Sequence, residues 1–206
     1  MKRVNKKPEI RRNEIIETSL ELFREQGYDQ TAVSDIVKKL GIAQGTFFYH
    51  FKTKNDIMIA IVGRLVDEKI NKIKALAETE GMSADAKLYT ILWEQSYDDE
   101  SKIGEVLHHE YNASIHQKFL VQIVQESAPY VIQILEQGMS EGIFQIQDLQ
   151  ETAEFILVGI NFMFDRGIFL WQDHVLEQKR LSFNRVIGRM LGNSLVFSNP
   201  STLRNR

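Results

Sequence analysis

Thr31-Ala32-Val33-Ser34-Asp35-Ile36-Val37-Lys38-Lys39-Leu40-Gly41-Ile42-Ala43-Gln44-Gly45-Thr46-Phe47-Phe48-Tyr49-His50-Phe51 is the stretch on which the reading of this chain turns. Val33, Ile36, Val37 and Leu40 recur at helical spacing, so residues 33–40 predict a short amphipathic helix with Thr31 placed to cap its start. Gly41 stops that helix, and a second short helix is predicted over 44–50, sending Phe47 and Phe51 to a core. Two short helices across a tight glycine turn have the spacing of a helix-turn-helix. In that motif the first helix is held by its apolar face and the second is presented outward. Gln44 and Thr46 are hydrogen-bonders suited to base edges in a major groove, and Gly45 lets a backbone approach closely. Tyr49 and His50 can donate to phosphates, and Lys52 and Lys54 flank the next helix start, where the dipole attracts an anion. Thr31 is expected to offer its hydroxyl to the same backbone, and Lys6-Lys7 to reach an adjacent groove or phosphates.

Working outward, Ile16, Leu20 and Phe23 predict a helix over roughly residues 9–26, closed by Gly27. Thr53-Lys54-Asn55-Asp56 resembles a capping box and opens a long helix to about Ala77, a rod of ~37 Å. Beyond Gly81 the pattern stays helical. Ser83 is placed to cap a helix containing Leu88 and Trp93, and a shorter one is expected over 101–111. A long pattern from about Ser114 to Gly138 meets Pro129, which predicts a kink or a fresh start. Asp148-Leu149-Gln150-Glu151 reads as another capping box opening a helix over 149–171. A last helix is expected over about 175–196, with a polar tail from Ser198. The expectation is an all-α chain of about nine helices. It divides into a head (1–55), a body (56–197) and a tail (198–206).

The 206 residues suffice for one large domain or two small ones. Zero cysteines exclude disulfide scaffolds, Cys-ligated zinc and thiol catalysis. The net charge of −3 hides an asymmetry: residues 1–55 carry eleven Lys/Arg against seven Asp/Glu, and the remainder carries 14 against 21. A basic head on an acidic body suggests that the head meets a polyanion. The basic start lacks the apolar core of a secretory signal. The uncharged stretch 155–164 is half the ~20 residues a spanning helix needs, so no membrane partner and a cytoplasmic location are expected.

Ile15-Ile16, Leu22-Phe23-Arg24-Glu25-Gln26-Gly27-Tyr28, Thr31-Ala32-Val33 and Gly41-Ile42-Ala43-Gln44-Gly45-Thr46-Phe47-Phe48-Tyr49-His50-Phe51 together resemble the N-terminal domain of the TetR family of bacterial repressors. The resemblance covers roughly residues 9–65. It implies a three-helix DNA-binding head with 44–50 as recognition helix, and a helical body that binds a small-molecule inducer and forms a homodimer. Two departures stand out. Phe48 replaces the family's usual Tyr, removing one hydroxyl that contacts phosphate, and Ala43 replaces a frequent Ser that caps the recognition helix.

By the same resemblance, Trp93, Tyr97, Tyr111, Phe119, Phe162 and Phe164 surround the inducer pocket, whose lining suits an apolar or amphipathic effector. The helix over 149–171 is apolar nearly all round and demands cover on two sides. The last helix brings Leu181, Val186, Ile187 and Met190, with Gly188 and Gly192 four apart for close helix approach. The resemblance places a dimer interface on these two helices, at Gly159, Phe169, Val186, Gly188, Met190 and Gly192. His108, His109 and His116 lack an acidic cluster to complete a shell, so no metal and no cofactor are expected. Two rival classes remain: a non-specific architectural DNA binder and a helical enzyme. The second lacks paired carboxylates, a nucleophile motif or a phosphate-cradling glycine loop.

Overall fold

In the computed structural model, residues 7–94, 113–165 and 167–192 are described. Among them the elements are helical: α1 (Pro8–Gln26), α2 (Val33–Leu40), α3 (Gln44–His50), α4 (Lys54–Ala77), α5 (Ala84–Tyr89), α6 (Ala113–Ser140), α7 (Leu149–Met163) and α8 (Asp173–Met190). α5 runs on into one π-helical stretch, Thr90–Glu94. The helix expected over 101–111 lies outside the described residues. The chain forms two compact units: residues 7–66 with 113–116, and residues 67–94 with 117–192.

In the first unit, α1 packs on α2 and α2 on α3. Ile15, Ile16, Phe23, Ile36, Phe47, Ile57, Met58 and Ile61 are all but fully buried. They sit at the helical intervals of their own elements, so four short apolar stripes close on one core. Polar contacts fix the stack from outside. Lys39 on α2 reaches Glu21 and Glu25 on α1, and Arg64 on α4 reaches Glu17 at 2.6 Å. The Thr53–Asp56 capping box forms both ways: Asp56 N–H donates to Thr53 Oγ1 at 3.1 Å, and Thr53 N–H donates to Asp56 Oδ2 at 2.9 Å.

The second unit has its own core, with Leu88, Leu92, Trp93, Val131, Ile134, Leu135, Ile156 and Leu157 at its centre. Several ends are capped by residues distant in sequence. Ser83 occupies the N-cap of α5 but makes no side-chain bond; Glu141 accepts from Ala84 N–H at 3.0 Å instead. Lys87 is buried, and its Nζ donates to Ala77 O at the end of α4 and to Gln137 Oε1 on α6, so its ammonium is not stranded. Pro129 does not start a fresh helix: α6 is continuous through it. Both Pro129 and Gln125, one turn earlier, are exposed, on a side of α6 where a carbonyl without its helical partner can meet water.

Two expected helices end early. α7 stops at Met163, because Asp165 Oδ1 accepts from Gly167 and Ile168 N–H and folds the chain into a side-chain-closed turn. α8 gives way at Leu191 to Gly192, whose φ of 69° is left-handed and whose place for a Cβ lies 2.8 Å from Gln145 Cβ. Asp148 is the N-cap of α7, yet its side chain makes no cap bond, so the second expected capping box is not formed.

Candidate nucleic-acid interface

The geometry of α3 follows from one buried residue. Phe47 is fully buried, packed on Phe51 with ring centroids 6.3 Å apart. At about 100° per residue, that burial puts Gly45 and Tyr49 on the opposite, outer side, with Phe48 beside them and Gln44 on the flank, one turn before Phe48. Tyr49 is 76% exposed and Phe48 46% exposed, while Gln44 and Gly45 are exposed and Thr46 and His50 half-buried. The turn that aims α3 is Gly41-Ile42-Ala43. Gly41 has φ 64°, and Ile42 N–H donates to Val37 O at 3.0 Å, closing α2 in a left-handed cap.

The start of α3 is weakly fastened. Ala43 is its N-cap, in extended conformation, and offers no side-chain acceptor. Ala43→Ser is expected to supply one and to stabilise the head by about 1 kcal/mol in denaturant unfolding, with no change in m.

Thr31 does not serve as expected. The N-cap of α2 is Ala32, whose N–H donates to Asp35 Oδ2 at 2.8 Å. Thr31 is only 1% exposed; its hydroxyl donates to Gly27 O at 2.7 Å and accepts from Gln26 Nε2. It ties α1 to the turn, and the hydroxyl expected to meet phosphate is spent inside the fold. Lys54 is likewise drawn inward. Its Nζ donates to Tyr28 O at 2.6 Å and lies 4.2 Å from the Tyr28 ring centroid. Burial lowers its pKa, against an opposing pull from Asp29. Lys54 therefore braces the loop between α1 and α2. Lys7 is exposed at the N-cap of α1, Lys52 is exposed, and Lys6 lies outside the described residues.

Arg12 is the residue that the reading of the chain missed. Its guanidinium stacks over Phe51 at 5.0 Å, at the C-terminal end of α3. Its position in the first turns of α1 gives no hint of this, since only the fold brings α1 to α3. The pKa of His50 is lowered by burial first, then by the charges of Arg12 and Arg11. Its folded-state pKa therefore lies below the unfolded ~6.5. The stability it contributes is present above about pH 6.5 and is lost as pH falls through the folded value. A phosphate beside it would favour the imidazolium, so DNA affinity is expected to rise as pH falls into the range where His50 takes up a proton, by no more than about tenfold per pH unit for one proton. Fluorescence anisotropy across pH checks this, and His50→Gln should flatten the rise.

Of the residues expected to line an effector pocket, Trp93, Phe119, Phe162 and Phe164 are described. Trp93 is buried, donates Nε1–H to Asn184 Oδ1 at 2.9 Å, and meets Phe164 and Phe183 edge to face. Trp93 and Phe164 therefore build core. Phe119 is half-buried on α6, whereas Phe162 is exposed and packs on Phe169. Tyr97 and Tyr111 lie outside the described residues, as do His108 and His109. His116 is buried, and no metal-holding group of His, Cys, Asp or Glu occurs among the described residues.

Among the described residues, α7 and α8 leave an apolar face uncovered. Phe155 is 71% exposed, and Val158, Leu181 and Val186 are each about half exposed. Between the two helices lies a groove of about 560 Å³, lined by Phe155, Gly159, Met163, Phe183, Val186 and Met190 among others. Gly159, Val186 and Met190 are thus brought together as expected for one face. Gly188 and Gly192 are not an open strip: Gly188 is buried within the chain, and Gly192 lies past the helix end against Gln145. Phe169 is off the helix, stacked on Trp171 in the connection before α8. No helix among the described residues is long and apolar enough to cross a membrane.

Two family models match this chain: bacterial regulatory proteins of the tetR family over residues 15–61, and the tetracyclin repressor-like C-terminal domain over residues 98–186. The chain belongs to the TetR family. This family is one of DNA-binding transcriptional regulators, not enzymes. The uncharacterized HTH-type transcriptional regulator YvdT of Bacillus subtilis is 42% identical over 60 residues, 29% of this chain and 31% of that protein. The negative transcriptional regulator IcaR of the icaADBC biofilm operon in Staphylococcus aureus is 34% identical over 91 residues, 44% of this chain and 48% of that protein. The chain thus spans about a third to a half of the length of these curated relatives. A TetR transcription regulator from Haloarcula marismortui superposes with a TM-score of 0.68 at 20% identity, covering 89% of this chain and 99% of that one, and so shares the TetR fold.

Proposed function

We propose that this TetR-family protein is a ligand-responsive transcriptional repressor that binds a pseudo-palindromic operator as a homodimer. The observation that carries the reading is α3 itself. Its outer strip of Gln44, Gly45, Phe48 and Tyr49 is exposed while Phe47 anchors it, and a Cβ on Gly45 would meet nothing within 4 Å. A glycine that the fold does not require costs helix stability for no internal gain, which suits a surface that another molecule must approach. Exposed Lys7, Arg12 and Lys52 supply the phosphate-neutralising charge of the head, residues 1–55.

The body, residues 56–197, carries the other two roles. The uncovered apolar face of α7 and α8 pairs with its copy, because a C2 contact covers the same patch on both chains. A small apolar or amphipathic effector binds among the body helices and favours a head spacing that no longer fits two successive major grooves. It acts only if its affinity differs between the two spacings. The name of IcaR, a negative regulator, supports repression over activation. The polar tail, 198–206, has no assigned role, and the setting is the cytoplasm.

A gel shift on the protein's own upstream DNA, repeated with a small-molecule library, tests this reading. A retarded complex that some library member dissolves is the expected result. Equal retardation of every duplex, unaffected by any compound, would favour an architectural DNA binder instead.

A further inference from the structure

We propose that the base pairs under α3 are A·T pairs, with a thymine methyl packed against Phe48 and an adenine read by Gln44. The inference rests on the DNA-binding reading above and names what that surface selects.

Between residues 44 and 50 the chain is Gln-Gly-Thr-Phe-Phe-Tyr-His, without Lys, Arg, Asp or Glu. In a major groove, guanine is specified chiefly by a bidentate Arg or Lys on O6 and N7, and cytosine by a carboxylate on its N4 amine. α3 offers neither. It offers an exposed carboxamide at Gln44, which carries the donor and acceptor that adenine N6 and N7 require. One turn later, on the same side, stands Phe48, an apolar ring 46% exposed. The thymine C5-methyl is the apolar group that the major groove presents, so it is the natural complement of that ring.

The two side chains lie about 6 Å apart along the helix axis, which spans roughly two base-pair steps. They therefore address pairs about two steps apart. Gly45 sits between them and Tyr49 with open space around it, so nothing on that strip holds α3 away from the base edges. A Tyr at position 48 would carry a hydroxyl outward; Phe leaves an apolar surface whose exposure is relieved only by contact.

The test uses the full chain. Duplexes selected from a random pool are resynthesised with deoxyuridine for deoxythymidine at the enriched positions, which deletes only the methyl. The expected result is an enriched half-site of A·T pairs, and a loss of about fourfold in affinity for each methyl removed from Phe48, the ratio matching ~0.8 kcal/mol per buried methyl. Phe48→Ala, an exposed substitution, should bind both duplexes equally. Equal binding of the two duplexes by the unaltered protein overturns the proposal, as does a selected core of G·C pairs or a loss that persists in Phe48→Ala. A folded protein that enriches no sequence at all overturns the regulator reading itself, and this inference with it.

Discussion

Phe47→Ala is expected to abolish specific DNA binding by collapsing the head. The ring is completely buried and is the one side chain of α3 that enters the core. Deleting it removes the apolar burial and leaves a cavity, at a cost of about 3–5 kcal/mol. A unit of some 60 residues has a stability margin of roughly 3–9 kcal/mol, so little or none remains. α3 then loses the anchor that turns Tyr49 and Gly45 outward. Hydrogen exchange should show α1, α2 and α3 losing protection while α6 and α7 keep theirs. Anisotropy should show operator affinity down by at least about 100-fold, in line with a fold that no longer presents the helix. Native protection and affinity in this variant would mean that α3 is held by something other than Phe47.

Phe155→Asp is expected to turn a dimer into a monomer without unfolding the chain. Phe155 projects from α7 into solvent, so the substitution costs the isolated fold little. In a self-paired face the new carboxylate would be buried opposite its own copy, two like charges without partners, at a cost of several kcal/mol. The dimer constant should weaken by about 1,000-fold or more. Operator binding should fall by about 100-fold, because two linked heads bind through effective concentration and single heads do not. Sedimentation velocity at micromolar protein checks both species. If the unaltered chain sediments as the 23.9 kDa monomer, the apolar face of α7 and α8 is not a dimer face.

What was legible in the chain is what local physics decides. Gly41 stops α2 because only a residue free of a Cβ takes φ 64° at no steric cost, and the apolar spacing on either side then fixes a helix-turn-helix. Thr53 and Asp56 announced α4 because their two bonds span three residues. What was not legible is decided by residues far apart. Whether the Thr31 hydroxyl faces phosphate or Gly27 depends on how α1 meets the turn. The cap of α5 comes from Glu141 rather than Ser83, and Trp93 becomes core because Asn184 satisfies its indole N–H. The end of α7 hinged on one Asp165 side chain, which the apolar run up to Phe164 concealed. A pair of glycines four apart looked like a helix-crossing strip, yet the second is a helix terminator.

The central claim, that the outer strip of α3 reads sequence, is tested most directly by one titration. Affinity for the protein's own upstream DNA is measured against a scrambled duplex of equal length over a range of salt. The expected result is a ratio of at least about 1,000 in favour of the upstream DNA at physiological salt, with both affinities falling steeply as salt rises. A ratio near one at every salt concentration would contradict it, leaving a basic head that binds DNA as a polyanion and nothing more.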